Sequence, residues 1–276
     1  MPTVPPGSLS VVATPIGNRD DMSTRAIATL RAADVIAAED TRHSRPLLVH
    51  HNVDVPLVPL HEHNEREVVD GLVRRMLEGQ SVALISDAGT PLVSDPGFRL
   101  VRAARAAGIR CVPIPGACAA IAALSVAGLP SDRFVFEGFL PPKAAARRGR
   151  LQALAGEPRT LIFYESSHRV AESLADMREV FGGGREAVLA RELTKLFETV
   201  IGEPLDELAT RVAGDPDQQR GECVLLVAGR GEEADARLAE GQRVFALLRE
   251  ELPPAKAAKL AAAITGAPRK SLYEAS

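Results

Sequence analysis

Short apolar runs alternate with stretches of helical periodicity up to about residue 230, and this alternation sets the expected architecture. Runs at 9–13, 34–38, 57–60, 81–85 and 109–113 are too short for helices and end in turn-forming residues, so they read as buried strands. Between them lie helices. Ser23 caps one over 24–33, with Ile27 and Leu30 inward. Asn64 and Glu67 form a capping pair for a helix to Glu78, with Val68, Leu72, Met76 and Val69, Val73, Leu77 as its apolar stripe and Gly79 as its stop. Asp95 and Pro96 supply a cap and a first-turn proline for a helix over 98–107 that ends at Gly108. A helix of small residues follows Pro115-Gly116 and runs to Ala127.

A second series begins after a hinge at 128–131, with strands at 134–136, 160–164, 186–190, 196–201 and 223–228. One of its helices turns Val170, Leu174, Met177 and Phe181 inward, and another carries Lys143, Arg147, Arg148 and Arg150. From about Glu232 the pattern is helical only. Val244, Leu247, Leu248 and Leu252 form one stripe, Ala257, Leu260, Ala261 and Ile264 another, and 265–268 turns into a last short helix. Strands alternating with helices imply parallel sheets. The expected fold is α/β: two α/β domains with mostly parallel sheets, 1–117 and 118–230, and a helix-turn-helix-like tail over 231–276.

Composition narrows the picture in three ways. Aromatics are only 4% and tryptophan is absent, so Ala, Val and Leu must pack the cores. The net charge of -3 leaves nucleic-acid binding to a local basic patch. Cys111, Cys118 and Cys223 lack metal spacing and read as thiols of a reducing cytoplasm. The sequence has neither an apolar run of membrane-spanning length nor an N-terminal signal-peptide pattern.

Polar clusters gather at the carboxyl ends of strands, where ligands bind in open α/β sheets. Glu39-Asp40-Thr41-Arg42-His43 follows the second strand and Ser86-Asp87-Ala88-Gly89-Thr90-Pro91 the fourth. Glu165-Ser166-Ser167-His168-Arg169 and Arg191-Glu192-Leu193-Thr194-Lys195 close two strands of the second series. No Gly-x-x-x-x-Gly-Lys cradle, Gly-x-Gly-x-x-Gly turn or Gly-x-Ser-x-Gly elbow occurs, which disfavours triphosphate, nicotinamide and serine-hydrolase sites. His61 and His63 share a strand face and His43 is a further imidazole, but no third ligand is spaced to join them, so no metal is expected. Four cations without an anion between Lys143 and Arg150 suit either phosphate or a solvated helix face.

Six blocks in order carry a family likeness: Thr14-Pro15-Ile16-Gly17-Asn18, Ala38 to His43, Ser86 to Pro91, Pro115-Gly116, Phe163-Tyr164-Glu165-Ser166 and Arg191 to Lys195. Together they resemble the RsmI family, bacterial 16S ribosomal RNA 2'-O-methyltransferases of the tetrapyrrole-methylase fold. The resemblance covers the chain from about Leu9 onward. It implies a bilobal homodimer with S-adenosylmethionine in the cleft, acting on a cytidine ribose in the decoding region of the small subunit. The cleft-lining positions it implies are Ile16, Gly17, Asp87, Gly89, Thr90, Leu92, Cys118, Ala119, Tyr164, Glu222, Val224 and Leu225. Fold relatives have serine where this chain has Cys118. Bare backbone at Gly17, Gly89 and Gly116 suits close approach of such a ligand, and Asp87 suits its ammonium or hydroxyls. Among the rim groups Glu39, Asp40, His43, Glu165, Arg191, Glu192 and Lys195, the expected hydroxyl acceptor is Asp40 or Glu165. Arg191 or Lys195 is expected to hold phosphate. Helix capping is the plainer alternative for Glu39 and Asp40. Arg42, His43, Lys143, Arg147, Arg148 and Arg150 are the expected RNA contacts. A tetrapyrrole-ring methylase and a non-catalytic ribosome-assembly factor are the competing functions.

Overall fold

The five apolar runs of the first half become strands of one sheet: β1 (Ser8–Val12), β2 (Val35–Ala38), β3 (Leu57–Pro59), β4 (Val82–Ile85) and β5 (Arg110–Ile114). The computed structural model describes residues 4–61 and 64–274. The sheet order is β3-β2-β4-β1-β5 and every pairing is parallel, as expected. β2 and β4 are buried along their whole length, which explains why they read as continuous apolar runs and not as alternating ones.

The helices between these strands divide between the two faces. α1 (Thr24–Ala32), capped by Ser23, and α2 (Thr41–His50) cover one face through Ala26, Leu30 and Leu48. α3 (Glu65–Leu77) and α4 (Phe98–Ala106) cover the other through Val69, Leu72, Met76, Leu100 and Ala104. Two caps differ from expectation. The Asn64 side chain makes no cap bond: its carboxamide accepts from His61 N–H and donates to Pro59 O, tying the loop ahead of α3. α4 starts after Gly97, whose φ of 117° swings the chain into the helix, so Asp95 is left outside it.

α5 (Ala119–Val126), the helix of small residues, packs on the second sheet through Ala120, Ala123 and Leu124. That sheet contains β6 (Phe134–Phe139), β7 (Thr160–Ser166), β8 (Glu186–Arg191), β9 (Thr199–Pro204) and β10 (Glu222–Val227). Its order is β6-β7-β10-β8-β9, and only β6 and β7 run parallel. The pairings of β10 with β7, β10 with β8 and β8 with β9 are antiparallel, which corrects the expectation of a mostly parallel second sheet. The reason is local: β8 reaches β9 through a short loop with no helix, so the chain doubles back beside itself.

α6 (Ala144–Leu154), α7 (Val170–Phe181) and α8 (Leu205–Gly214) pack on one face of this sheet around Leu161, Phe163, Leu189 and Leu225. The alternate residues Ile162, Val188, Ala190, Val224 and Leu226 face α5 and Ile16. Both faces are therefore apolar, and the second carries the seam with the first lobe. The strand expected at 196–201 begins three residues later, since Glu192 and Thr194 adopt φ of 52° and 65° and turn the chain into a projecting loop. Leu196 is left 89% exposed.

The tail is α9 (Glu232–Arg249), α10 (Pro254–Thr265) and α11 (Arg269–Glu274), packed around Phe245, Ala257, Ala261 and Leu272. Gly266 in the left-handed conformation ends α10 and starts the turn to α11. Among the described residues no helix is long and apolar enough to cross a membrane.

Candidate functional site

Adjacent parallel strands β1 and β4 send their following helices to opposite faces of the first sheet, so a crevice opens between their carboxyl ends. The loops meet there in a two-residue bridge: Thr14 N–H donates to Gly89 O at 2.8 Å and Gly89 N–H donates to Thr14 O at 3.1 Å. Gly89 has φ of 80°, and a Cβ on it would lie 3.3 Å from Ile16 Cγ2, so a side chain there would be both strained and crowded. The crevice continues against the second sheet as a cavity of about 420 Å³, within the usual range for small-molecule sites.

The first-lobe wall is built by Ile16, Gly89, Thr90 and Asp95, with Ala119 at the start of α5. Thr90 Oγ1 donates to Ala117 O at 2.9 Å, pinning the β4 loop to the approach to α5. Asp95 was expected to cap α4, and it lines the cavity instead. Burial pushes its carboxyl up to about 6, against a hydrogen bond from Ser86, and the Asp87 charge adds to the rise. Leu92 and Ser94, just ahead of it, hold φ of 74° and 67°. Such non-glycine backbone persists where the surroundings force it, as in ligand clamps.

Other positions expected on this wall lie elsewhere. Asp87 is not among the lining residues; its Oδ1 accepts from Asp40 N–H at 3.1 Å, joining the ends of β4 and β2. The Leu92 side chain packs on the first-lobe core. Gly17 faces the second lobe, where a Cβ would lie 2.5 Å from Lys195 Cγ and 2.8 Å from Thr194 Oγ1. Its neighbour Asn18 donates N–H to Thr194 Oγ1 at 3.0 Å, so this stretch is a seam between lobes.

On the second-lobe wall Tyr164, Glu165, Glu222 and Val224 line the cavity, together with Ser166, Ser167 and His168. The Tyr164 hydroxyl accepts from Ala120 N–H at 3.1 Å, and burial, then the Cys118 thiol beside it, raises its pKa. Cys118 thus sits beside Tyr164 at the start of α5, makes no side-chain cap bond and is not among the residues that line this cavity. Leu225 points to the helix face of its sheet, away from the cleft. The expected catalytic charges here are paired. Glu165, with no exposed side-chain surface, accepts from Arg169 at 2.5 Å and from Ser173 at 2.6 Å. Arg191 is buried and donates to the carbonyls of Arg220 and Phe197 and to Thr199 Oγ1. Lys195 Nζ lies 2.9 Å from both Glu192 and Glu222; burial pulls its pKa down, but these carboxylates outweigh it and raise the pKa. At the first-lobe rim Asp40 caps α2 by accepting from Arg42 N–H, and the Arg42 guanidinium followed by that same N–H holds its carboxyl down at about 2. None of these four is free to accept a proton or seize a phosphate without losing a partner.

The cavity therefore offers a half-buried carboxylate without an ion-pair partner among the described residues, bare backbone at Gly89, and an aromatic and aliphatic lining. That donor set fits a small cation with apolar parts.

Residues 8–209 match the family model described as Tetrapyrrole (Corrin/Porphyrin) Methylases, and 235–276 match the RsmI C-terminal HTH domain. Ribosomal RNA small subunit methyltransferase I of Pseudomonas aeruginosa is 63% identical over 272 residues, 97% of this chain and 96% of that protein. Its counterpart in Xylella fastidiosa (strain Temecula1) is 60% identical over 268 residues, 97% and 98% of the two chains. This chain belongs to the RsmI family. The fold has solved counterparts in the methyltransferase CobJ, with a TM-score of 0.60, 22% identity and coverage of 81% and 94%. Uroporphyrin-III-C-methyltransferase from Thermus thermophilus gives a TM-score of 0.57 at 22% identity, covering 80% and 94%.

In this member of the RsmI family the basic helix is mostly ion-paired. Arg147 is buried and bonded to Asp176 at 2.6 Å and Glu172 at 3.2 Å, so it is part of the fold and offers nothing to RNA. Arg148 meets Asp176 at 3.0 Å and Arg150 meets Glu137 at 2.6 Å, while Lys143, just before α6, is exposed. Arg42 is exposed but shared with Asp40, and His43 is exposed on the first turn of α2. His61 is half-buried; His63, which was paired with it as a candidate ligand, lies outside the described residues. Among the described residues no group of three or more His, Cys, Asp or Glu is disposed to hold a metal. Among the cleft residues that escaped sequence reasoning are Asp95 and His168. Asp95 had a good cap pattern that masked it; His168 stood within a quoted motif but carried no spacing signal.

Proposed function

We propose that this chain transfers the methyl group of S-adenosylmethionine to the ribose 2'-hydroxyl of a cytidine in the decoding region of 16S ribosomal RNA. The observation that carries the reading is Asp95, an unbalanced carboxylate facing the cavity between the lobes, in a chain of the RsmI family. Family membership supports the small-subunit RNA as substrate, and the resemblance of the six sequence blocks supports the 2'-oxygen and the cytidine. The cytoplasm, where that subunit is, is the location this implies.

Asp95 would accept from the cofactor's ammonium or face its sulfonium, with Ile16, Gly89, Thr90, Ala119, Tyr164 and Val224 shaping the rest of the pocket. Bound there, S-adenosylmethionine supplies an electrophilic methyl group whose sulfur leaves without assistance. The residues of the chain then have to orient and dry the site. Tyr164 is fixed by Ala120 N–H and presents its ring edge to Phe136 and Phe139, which narrows access from the second lobe. The paired charges of Glu165, Arg191 and Lys195 hold the loops around the cavity in place, and orientation of a hydroxyl toward a methyl group is the largest contribution such a site makes.

We read the chain as a homodimer. Leu196, Phe197 and Val200 are 89%, 67% and 40% exposed along and ahead of the edge strand β9, an apolar edge of the kind that associates. Light scattering with size exclusion should give twice the chain mass.

Radiolabelled methyl transfer tests the main reading. Wild-type protein given assembled small subunits, free 16S RNA, or RNA with a 2'-deoxy sugar at the modified residue should label the first or second and not the third. Label on the deoxy RNA would move the chemistry to the base. Label on neither ribosomal substrate would leave the fold without this function.

A further inference from the structure

With Asp40 and Glu165 committed to Arg42 and to Arg169, the hydroxyl proton needs another acceptor. Six titratable side chains line the cavity: Asp95, Tyr164, Glu165, His168, Glu222 and Cys223. Glu165 is bonded to Arg169 and Ser173, and Glu222 to Lys195. The Tyr164 hydroxyl is bonded to Ala120 N–H, and burial pushes the Cys223 thiol up to about 11. Asp95 faces the first-lobe pocket where the cofactor's cation would lie. His168 is exposed at the mouth, and no hydrogen bond or ion pair ties it among the described residues.

We propose that His168 accepts the proton of the ribose hydroxyl that is methylated. This rests on the functional reading above. His168 is carried by a clamped turn. Arg169 N–H donates to Ser166 O at 3.0 Å, and the Arg169 guanidinium reaches Glu165, Ser166 Oγ at 3.3 Å and Leu140 O at 3.3 Å. The bond to Leu140 fastens the turn to the end of β6, where Phe139 pairs in register with Tyr164 and keeps its ring 56% exposed over the cavity. A splayed-out nucleotide thus meets an aromatic face for its base beside an imidazole for its sugar. The charged groups around the imidazole are Glu165 with Arg169 on its own element, Glu222 with Lys195 from β10 and the β8 loop, Glu172 on α7 and Asp95 across the cleft.

In the step, the 2'-oxygen forms the new bond to the methyl carbon while its proton passes to an imidazole nitrogen of His168. The carbon–sulfur bond breaks and its electron pair stays on sulfur, so the sulfonium charge ends as imidazolium, which returns its proton to water. Imidazole is suited to this because it cycles near neutral pH.

The test compares His168→Ala and His168→Gln with wild type in the full chain. Calorimetry should give S-adenosylmethionine affinity within about twofold of wild type, which also reports folding. kcat on the ribosomal substrate should fall by roughly 10²–10³-fold, the acid limb of the wild-type kcat profile should vanish, and added imidazole should restore part of the rate to His168→Ala. A readout without cofactor is the His168 ring resonance, which should shift on adding a 16S fragment carrying the target ribose and not on adding its 2'-deoxy form. A variant keeping kcat within about threefold with its acid limb intact overturns the proposal, as does a raised KM with kcat unchanged. A wild-type protein that moves no methyl group onto ribosomal RNA overturns the functional reading and the proposal with it, a result distinct from a fast His168→Ala.

Discussion

On the first-lobe wall of the cleft the half-buried Asp95 carboxyl has a hydroxyl for company and is pushed up to about 6, whereas on the second-lobe side Glu165, Glu192 and Glu222 each face a cation. One wall keeps a charge in reserve and the other has spent its charges on itself. A cationic ligand gains from the first, since a desolvated carboxylate without a partner is stabilised by any cation that reaches it. The second wall gains shape: its ion pairs fix the turn after β7 and the loop after β8. The second wall carries more charged groups than the first, yet they are paired among themselves, so pairing and not charge density distinguishes a binding wall from a supporting one.

The comparison breaks most visibly at Glu165. If its carboxylate only supports the turn, Glu165→Ala should destabilise the fold by about 3–5 kcal/mol, because the ion pair with Arg169 is deeply buried on the glutamate side. Denaturant titration checks this. A folded, fully stable variant with lost methyl transfer would instead return Glu165 to the chemistry.

Asp95 should show the opposite profile. Asp95→Asn should weaken S-adenosylmethionine binding by about 1.5–3 kcal/mol, the range for a hydrogen bond to a charged group, with the fold intact. Its pH dependence has a definite sign. The cation prefers the carboxylate, so affinity of the wild type should be level above about pH 6 and fall below it as Asp95 takes up its proton. Stability runs the other way. The native carboxyl titrates near 6 and the unfolded one near 3.8, so between these values the native state holds more proton and this group's burden on stability eases as pH falls. Calorimetry and thermal melts of wild type and Asp95→Asn across pH 4.5–7.5 separate the two. An affinity for wild type that stays flat down to pH 4.5 would falsify the assignment.

Much of this was legible in the sequence, and the misses share a cause. Strand runs such as 81–85 and 160–164 are recognisable because both faces of each sheet are covered, and a residue buried on either side must be apolar. The position of the cleft followed from strand ends. The direction of the second sheet did not, because β8 and β9 are joined by a loop whose turn depends on positive φ at Glu192 and Thr194, residues with no glycine to advertise it. α2 was masked by its own cap, since Asp40, Arg42 and His43 suit rim chemistry as well as a first turn; the capping alternative is the one Asp40 takes. Asp95 failed in reverse: a good cap pattern, Asp before Pro, concealed a cavity carboxylate because Gly97 at φ 117° starts the helix two residues later. Local pattern identifies which residues are polar; the partner that satisfies each lies across the sheet.

A smaller effect probes where the walls meet. Gly17→Ala puts a methyl group 3.0 Å from Leu193 O and closer still to Thr194 and Lys195, which the seam must open to admit. Overpacking of this kind costs about 1–3 kcal/mol. Melting temperature should fall and S-adenosylmethionine affinity should fall with it, since Ile16 next to it lines the cavity. A variant with normal melting and normal affinity would show that the lobes are free to part there, and the pairing of a binding wall with a supporting wall would no longer be a rigid one.

The smallest effect belongs to the helix once credited with RNA binding. Of its four cations Arg147 is buried, and its replacement would report on folding. Arg148 and Arg150 are about half exposed and already share Asp176 and Glu137, so each contributes little free charge. Lys143 is exposed just ahead of α6 with no such partner among the described residues. A cation that neutralises a phosphate releases counterions, and removing it lowers the slope of log affinity against log salt by about one. Lys143→Gln should therefore lower the slope of RNA binding by about one if α6 lies along the backbone. Arg148→Gln and Arg150→Gln should lower it by less, and each should also cost stability, because the Asp176 and Glu137 side chains they pair with are only 9% and 8% exposed. Equal reductions at all three would mean RNA displaces the carboxylates, and the helix would then belong with the binding wall. No reduction at any of the three makes it a solvated, self-neutralised face like the second-lobe rim beside it.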